Sequence, residues 1–151
     1  MKVFRLCRAP YRQIDGEGAK LHGGRWNSPG RPVVYTSDSL ALAALEYLVH
    51  LDVGDVPADL VALAIEVPDD LPGGIFDQAL LPARWAELVD PAPCKAIGDA
   101  WLTTATTTWL RVPAAPIHNA ATMLNSPQGP DFKRITVVDE RPFHYDPRLL
   151  E

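Results

Sequence analysis

No apolar run in the sequence approaches the roughly 20 residues that span a bilayer. The opening segment, MKVFRLCRAPYR, carries Arg5, Arg8 and Arg12 where a signal peptide needs an unbroken apolar stretch. The expectation is a cytoplasmic protein with no membrane span, not exported by that route. Cysteine is scarce: Cys7 and Cys94 allow at most one disulfide, and there is neither a CxxC pair nor a Cys/His spacing suited to zinc. Two free thiols in a reducing compartment and no metal are expected. Also missing are a GxGxxG turn, a GxSxG elbow, an HExxH helix, a Walker loop and any repeated acidic Mg²⁺ signature. These gaps count against a doubly wound dinucleotide-binding fold, a serine hydrolase and a metal-dependent enzyme.

What is present fits one domain. The chain has 151 residues, 47% apolar and 22% charged, enough for a packed core and too short for two well-packed units. Charge is uneven: residues 1–31 hold seven basic side chains against Asp15 and Glu17, a net +5, so the other 120 residues carry −10 of the overall −5. A pI near 5.3 argues against broad nucleic-acid binding, which needs a basic face, and leaves room for a local anion site.

Fifteen prolines punctuate short elements. Residues 2–7 alternate as a strand, 10–32 read as a long loop rich in Gly and Pro, and 33–36 (VVYT) as a short strand. Ser37 or Asp38 is placed to cap a helix running from Ser39 to Leu51. Residues 60–67 read as a buried strand, 95–109 as a helix diluted by five threonines, and 134–139 as an extended segment. Strands outnumber helices without βαβ alternation, so a single α+β domain is expected.

Two segments carry candidate chemistry. Apolar side chains cover nearly the whole circumference of the 39–51 helix and leave one polar stripe of Ser39, Glu46 and His50, which predicts a buried helix. An ionised Glu46 there is costly unless it is ion-paired, reaches the surface, or faces a polar cleft. The segment HGGRWNSPG sets Arg25 after two glycines, whose freedom admits close backbone approach, and its planar fork suits phosphate. The other reading is an ordinary loop anchored by Trp26. Tyr35 ends a short strand that runs into the glutamate helix, an order able to bring Arg25, Tyr35 and Glu46 to one cleft, although a tyrosine in that place also serves as core.

The stretch GEGAKLHGGRWNSPGRPVVYTSDSLALAALEYLVHL, with IGDAWL, RVPAAP, LNSP and the closing FHYDPRLL, closely resembles the RES-domain family. The likeness extends over most of the chain and takes residues 1–151 as one RES domain. It implies a fold like that of ADP-ribosyltransferases, with mixed sheets and flanking helices. It further implies the toxin of a two-gene toxin-antitoxin module that consumes NAD by cleaving its nicotinamide glycosidic bond, some members modifying proteins with ADP-ribose. The implied partner is an antitoxin with an Xre-like helix-turn-helix, which takes the DNA contacts. Carried onto this sequence, the family's arginine falls on Arg25, its aromatic residue on Tyr35, its glutamate on Glu46 and its late asparagine on Asn125. The family serine falls on Ala114, in VPAAP, where no hydroxyl is present; Ser126 is near but breaks the spacing to the asparagine. That substitution motivates a third reading, a catalytically weak binding module that keeps the fold.

Overall fold

The computed structural model describes residues 1–52 and 54–151. Apolar side chains on both faces of β1 (Lys2–Arg8) and β3 (Leu60–Glu66) are buried on either side of an antiparallel pair that runs from Lys2 opposite Glu66 to Arg8 opposite Leu60. Val3, Cys7, Val61, Leu63 and Ile65 point to one face and Leu6 and Leu60 to the other, so each face gains its own buried cluster. The remaining strands are β2 (Val34–Ser37), β4 (Gly73–Ile75), β5 (Trp109–Pro113), β6 (Ala121–Asn125) and β7 (Thr136–Pro142). They complete one seven-stranded sheet in the order β4-β5-β6-β2-β1-β3-β7, antiparallel except for β4 beside β5. Helices α1 (Glu17–His22), α2 (Leu40–Leu48) and α3 (Ala92–Thr104) complete an α+β domain.

The junction between β1 and β2 is thin. Only Phe4 opposite Ser37 is in register there, whereas β2 and β6 pair along their length from Val34–Asn125 to Ser37–Thr122. The sheet opens at this seam, and α2 lies across it.

Several expectations change. The cap of α2 is Ser39, whose Oγ accepts from the Leu42 N–H at 3.1 Å, because Ser37 is still in β2 and Asp38 is drawn to Arg111 at 3.2 Å. The helix ends at Leu48, where the chain tightens through His50 N–H to Tyr47 O and Leu51 N–H to Leu48 O. It is half-buried: only Leu42 and Ala43 are buried, and Val49 just past its end is 60% exposed. Part of its apolar circumference lines an open cavity in place of core. The 10–32 segment contains α1, started by Gly16 at φ 73°, and α3 stops at Thr104, short of β5. The extended end is β7, an exposed edge strand. Beyond it Tyr145 packs edge-on to Phe143 and its hydroxyl donates to Ala44 O, holding α2 from behind two residues before Glu46. Both cysteines are buried and free. No described helix is long and apolar enough to cross a membrane.

Candidate active site

The arginine loop is tied from three sides. Gly24 and Asn27 bridge each other, with Gly24 N–H to Asn27 O at 3.0 Å, setting Arg25 and Trp26 at the tip of a tight turn. Asn27 is fully buried; its Nδ2 donates to Ala19 O, Ser28 O and Arg31 O, and its Oδ1 accepts from the Tyr35 hydroxyl at 2.6 Å. That hydroxyl also accepts from the Trp26 N–H at 3.0 Å. A Cβ on Gly24 would lie 2.6 Å from the same oxygen, so the second glycine is required by the tyrosine. Tyr35 is thus an anchor at its hydroxyl, while its ring lines the cavity. Burial raises its phenol well above the ordinary range, so it stays protonated.

The second tie is α3. Gly98 packs directly on the Trp26 carbonyl, and Asp99 accepts from Ser28 N–H at 2.9 Å and Ser28 Oγ at 2.6 Å. Arg31 reaches Thr103 Oγ1 at 2.7 Å from the same side. The third is aromatic. Trp26, 2% exposed, packs against Trp85 at 5.8 Å and Phe76 at 6.3 Å, and the Arg25 guanidinium lies 5.9 Å from the Trp85 ring centre. Arg25 makes no ion pair among the described residues, and its Nη1 is buried with no hydrogen-bond partner. A buried arginine nitrogen without a partner costs free energy, and a guanidinium so placed is suited to pair with an anion.

Glu46 projects from α2 and its Oε1 accepts from Thr122 Oγ1 of β6 at 3.1 Å. Burial raises its carboxyl above the usual carboxylate range, opposed by the Thr122 hydrogen bond and by the charges of His50 and Arg25. Arg25, Tyr35 and Glu46 line one cavity of about 820 Å³ at the β1–β2 seam, within the range of sites that enclose a sizeable ligand. Arg5 and Lys95 also line it, and Glu46 is its sole carboxylate among the described residues.

Other sequence candidates fall elsewhere. Asn125 is 1% exposed and outside the cavity lining, its Nδ2 donating to Val34 O, Thr36 Oγ1 and Met123 O. Ala114, the position that carries the family serine, does not line the cavity with Glu46. It is buried in the β5–β6 hairpin with its N–H on Ala120 O, and Ala115 and Pro116 line the cavity instead. Ser126 is also buried outside the lining. Sequence reasoning missed Thr122, Asn27, Trp85 and Lys95. Of these, Asn27 had a signal, since it stands inside the GGRWN motif.

A family model described as RES domain matches residues 2–146. A protein of Photorhabdus laumondii named "Toxin Res" is 35% identical, over 100% of this chain and 98% of its own. The "Prs ADP-ribosylating toxin" of a Sphingobium species is 36% identical, covering 91% and 86%. A chain from the crystal structure of the Mycobacterium tuberculosis MbcT-MbcA toxin-antitoxin complex shares the fold, with a TM-score of 0.78 over 99% of this chain and 86% of that one at 21% identity.

Proposed function

The chain belongs to the RES-domain family, and on that premise we propose that residues 1–151 form one RES domain. Its role is that of a toxin in a toxin-antitoxin pair, an enzyme that takes NAD as substrate and depletes it. The observation that carries this reading is one half-buried carboxylate, Glu46, facing a cavity whose other formally charged lining groups are Arg5, Arg25 and Lys95, with Arg25 Nη1 unsatisfied.

The chemistry fits one carboxylate. The bond between ribose C1′ and the nicotinamide nitrogen breaks, and its electron pair leaves with nicotinamide, which departs neutral and needs no general acid, unlike an ordinary glycoside. Positive charge develops at C1′, and Glu46 faces it, through the ribose hydroxyls and space. An acceptor oxygen then bonds to C1′ and gives up its proton to solvent. The Tyr35 ring, fixed by its bonded hydroxyl, offers a face to the cationic nicotinamide, worth roughly 0.5–2 kcal/mol. Arg25 takes the diphosphate. This assigns Glu46, Arg25 and Tyr35 the catalytic and binding roles; Asn125 supports β2 from below.

Release of nicotinamide from NAD by the purified chain tests the reading, and Glu46→Gln should lower it at least about 100-fold with the fold retained. Undiminished turnover by folded Glu46→Gln protein refutes it. The similarity to a Sphingobium protein named for ADP-ribosylating activity favours a second reading, transfer of ADP-ribose to a particular protein, detected as labelled product in the same assay with protein acceptors added. Absence of any nicotinamide release points to the third, a binding module with the fold retained.

An antitoxin partner is supported by the fold neighbour, which was solved in a toxin-antitoxin complex. A basic cavity in an acidic chain suits an anionic terminal segment of an Xre-like helix-turn-helix protein, with DNA contacts left to that partner. Co-purification with loss of NAD cleavage is the expected result; binding without inhibition refutes the blocking arrangement.

A further inference from the structure

We propose that Thr122 is the positioning residue of Glu46: its hydroxyl, held on a central strand, fixes the carboxylate at the orientation in which its free oxygen faces the cavity. This rests on the catalytic reading of Glu46 given above. β6 lies between β5 and β2, with Thr122 opposite Val112 on one side and Ser37 on the other, so its backbone is pinned from both edges. Ser37 is also the residue that meets Phe4 of β1, which places the Thr122 hydroxyl at the seam itself. The residue is 6% exposed and its side chain β-branched, with few rotamers open to it, whereas glutamate has three rotatable bonds and needs an external donor to hold one orientation.

Two other buried threonines supply the contrast. Thr36 donates to Met123 O at 3.0 Å, and Thr108 donates to Pro130 O. Both satisfy backbone, Thr36 from β2 and Thr108 from the bend before β5, while Thr122 donates across 76 positions of sequence to a carboxylate in the cavity. Among the described residues no other hydrogen bond to the Glu46 carboxylate is made. The groups facing Glu46 are Thr122 from β6, His50 from its own helix side and Arg25 from the loop, with Arg5, His22, Tyr47 and Lys95 lining the same cavity. A donor to the ionised form works against the cost of burial and keeps the carboxylate charged where the reaction needs it.

The experiment compares Thr122→Val, which keeps shape and strand preference, with Thr122→Ser, which keeps the hydroxyl. In nicotinamide release from NAD, Thr122→Val should lower kcat about tenfold with KM within about twofold of the parent. Its acid limb should move to higher pH, and Thr122→Ser should recover most of both. Carbon-13 carboxyl titration of Glu46, read independently of catalysis and assigned with Glu46→Gln, should move upward in Thr122→Val and stay near the parent in Thr122→Ser. An unmoved carboxyl titration in Thr122→Val overturns the proposal, as do equal losses in the two variants. If the parent releases no nicotinamide, the reading of the reaction fails while the titration still decides the role of Thr122. If Thr122→Val does not fold, Thr122→Ser decides, since a retained hydroxyl must leave both titration and rate near the parent.

Discussion

Replacing Gly98 by alanine tests whether the docking of α3 sets the arginine loop. Within a helix this exchange normally stabilises by about 1 kcal/mol through backbone entropy and propensity. Here the added Cβ would lie 1.7 Å from the Trp26 carbonyl oxygen and 2.7 Å from its carbon, against the 3.0 Å below which Cβ contacts essentially do not occur. Helix and loop must separate by at least about 1.3 Å, since neither backbone atom can rotate away. Overpacking of this kind costs about 1–3 kcal/mol, and the same displacement stretches the two charge-assisted bonds from Ser28 to Asp99, each worth about 1.5–3 kcal/mol. With partial relaxation and the helix gain subtracted, a net loss of about 2 kcal/mol is expected, or roughly 4–8 °C in Tm for a domain of this size. Because Arg25 immediately precedes Trp26, KM for NAD should rise as well. Urea or thermal unfolding beside NAD kinetics measures both, and a Gly98→Ala protein as stable as the parent with unchanged KM refutes the reasoning.

Glu46→Gln should be more stable than the parent at pH 7. The folded carboxyl is raised above its usual 4.5, so the native state binds more protons than the unfolded state between the two values, and the parent loses stability as pH rises through that window. The advantage of the variant should vanish below the unfolded value; denaturant midpoints across pH show it, and equal midpoints at pH 7 count against a strained carboxylate. Arg25→Lys keeps the charge and loses both the planar fork and its contact with Trp85, so NAD binding should weaken. An unchanged KM makes Arg25 a structural residue.

The gathering of Arg25, Tyr35 and Glu46 in one cavity was legible because all three lie on consecutive short elements, loop, β2 and α2, whose order leaves few ways to arrange them. The lost parts depend on distant partners. β6, ATMLN, is buried at every position, so it has no alternation to betray a strand. β4 is three residues beginning with two glycines, the first lying so close to the Trp109 ring that no side chain fits there. Thr122 looks like any strand threonine until β6 is laid beside β2. The half-exposure of α2 was illegible for a related reason: an apolar helix facing a cavity and one facing a core carry the same pattern, and only the opening of the seam distinguishes them. For Ala114 the motif gave a position in sequence, and the turn of the hairpin decided which neighbour faces the cavity.

The long reach between Glu46 and Thr122 also governs when the site comes into being. At about 5–20 residues per second, the 76 positions separating them take on the order of 4–15 s to synthesise. During that interval the nascent chain carries its arginine loop and its carboxylate with no wall to hold them, because β2 has no β6 to pair with. Pairing at such separation is slow to close even once both strands exist. A chain built this way has no complete candidate site until β6 has been made and laid beside β2.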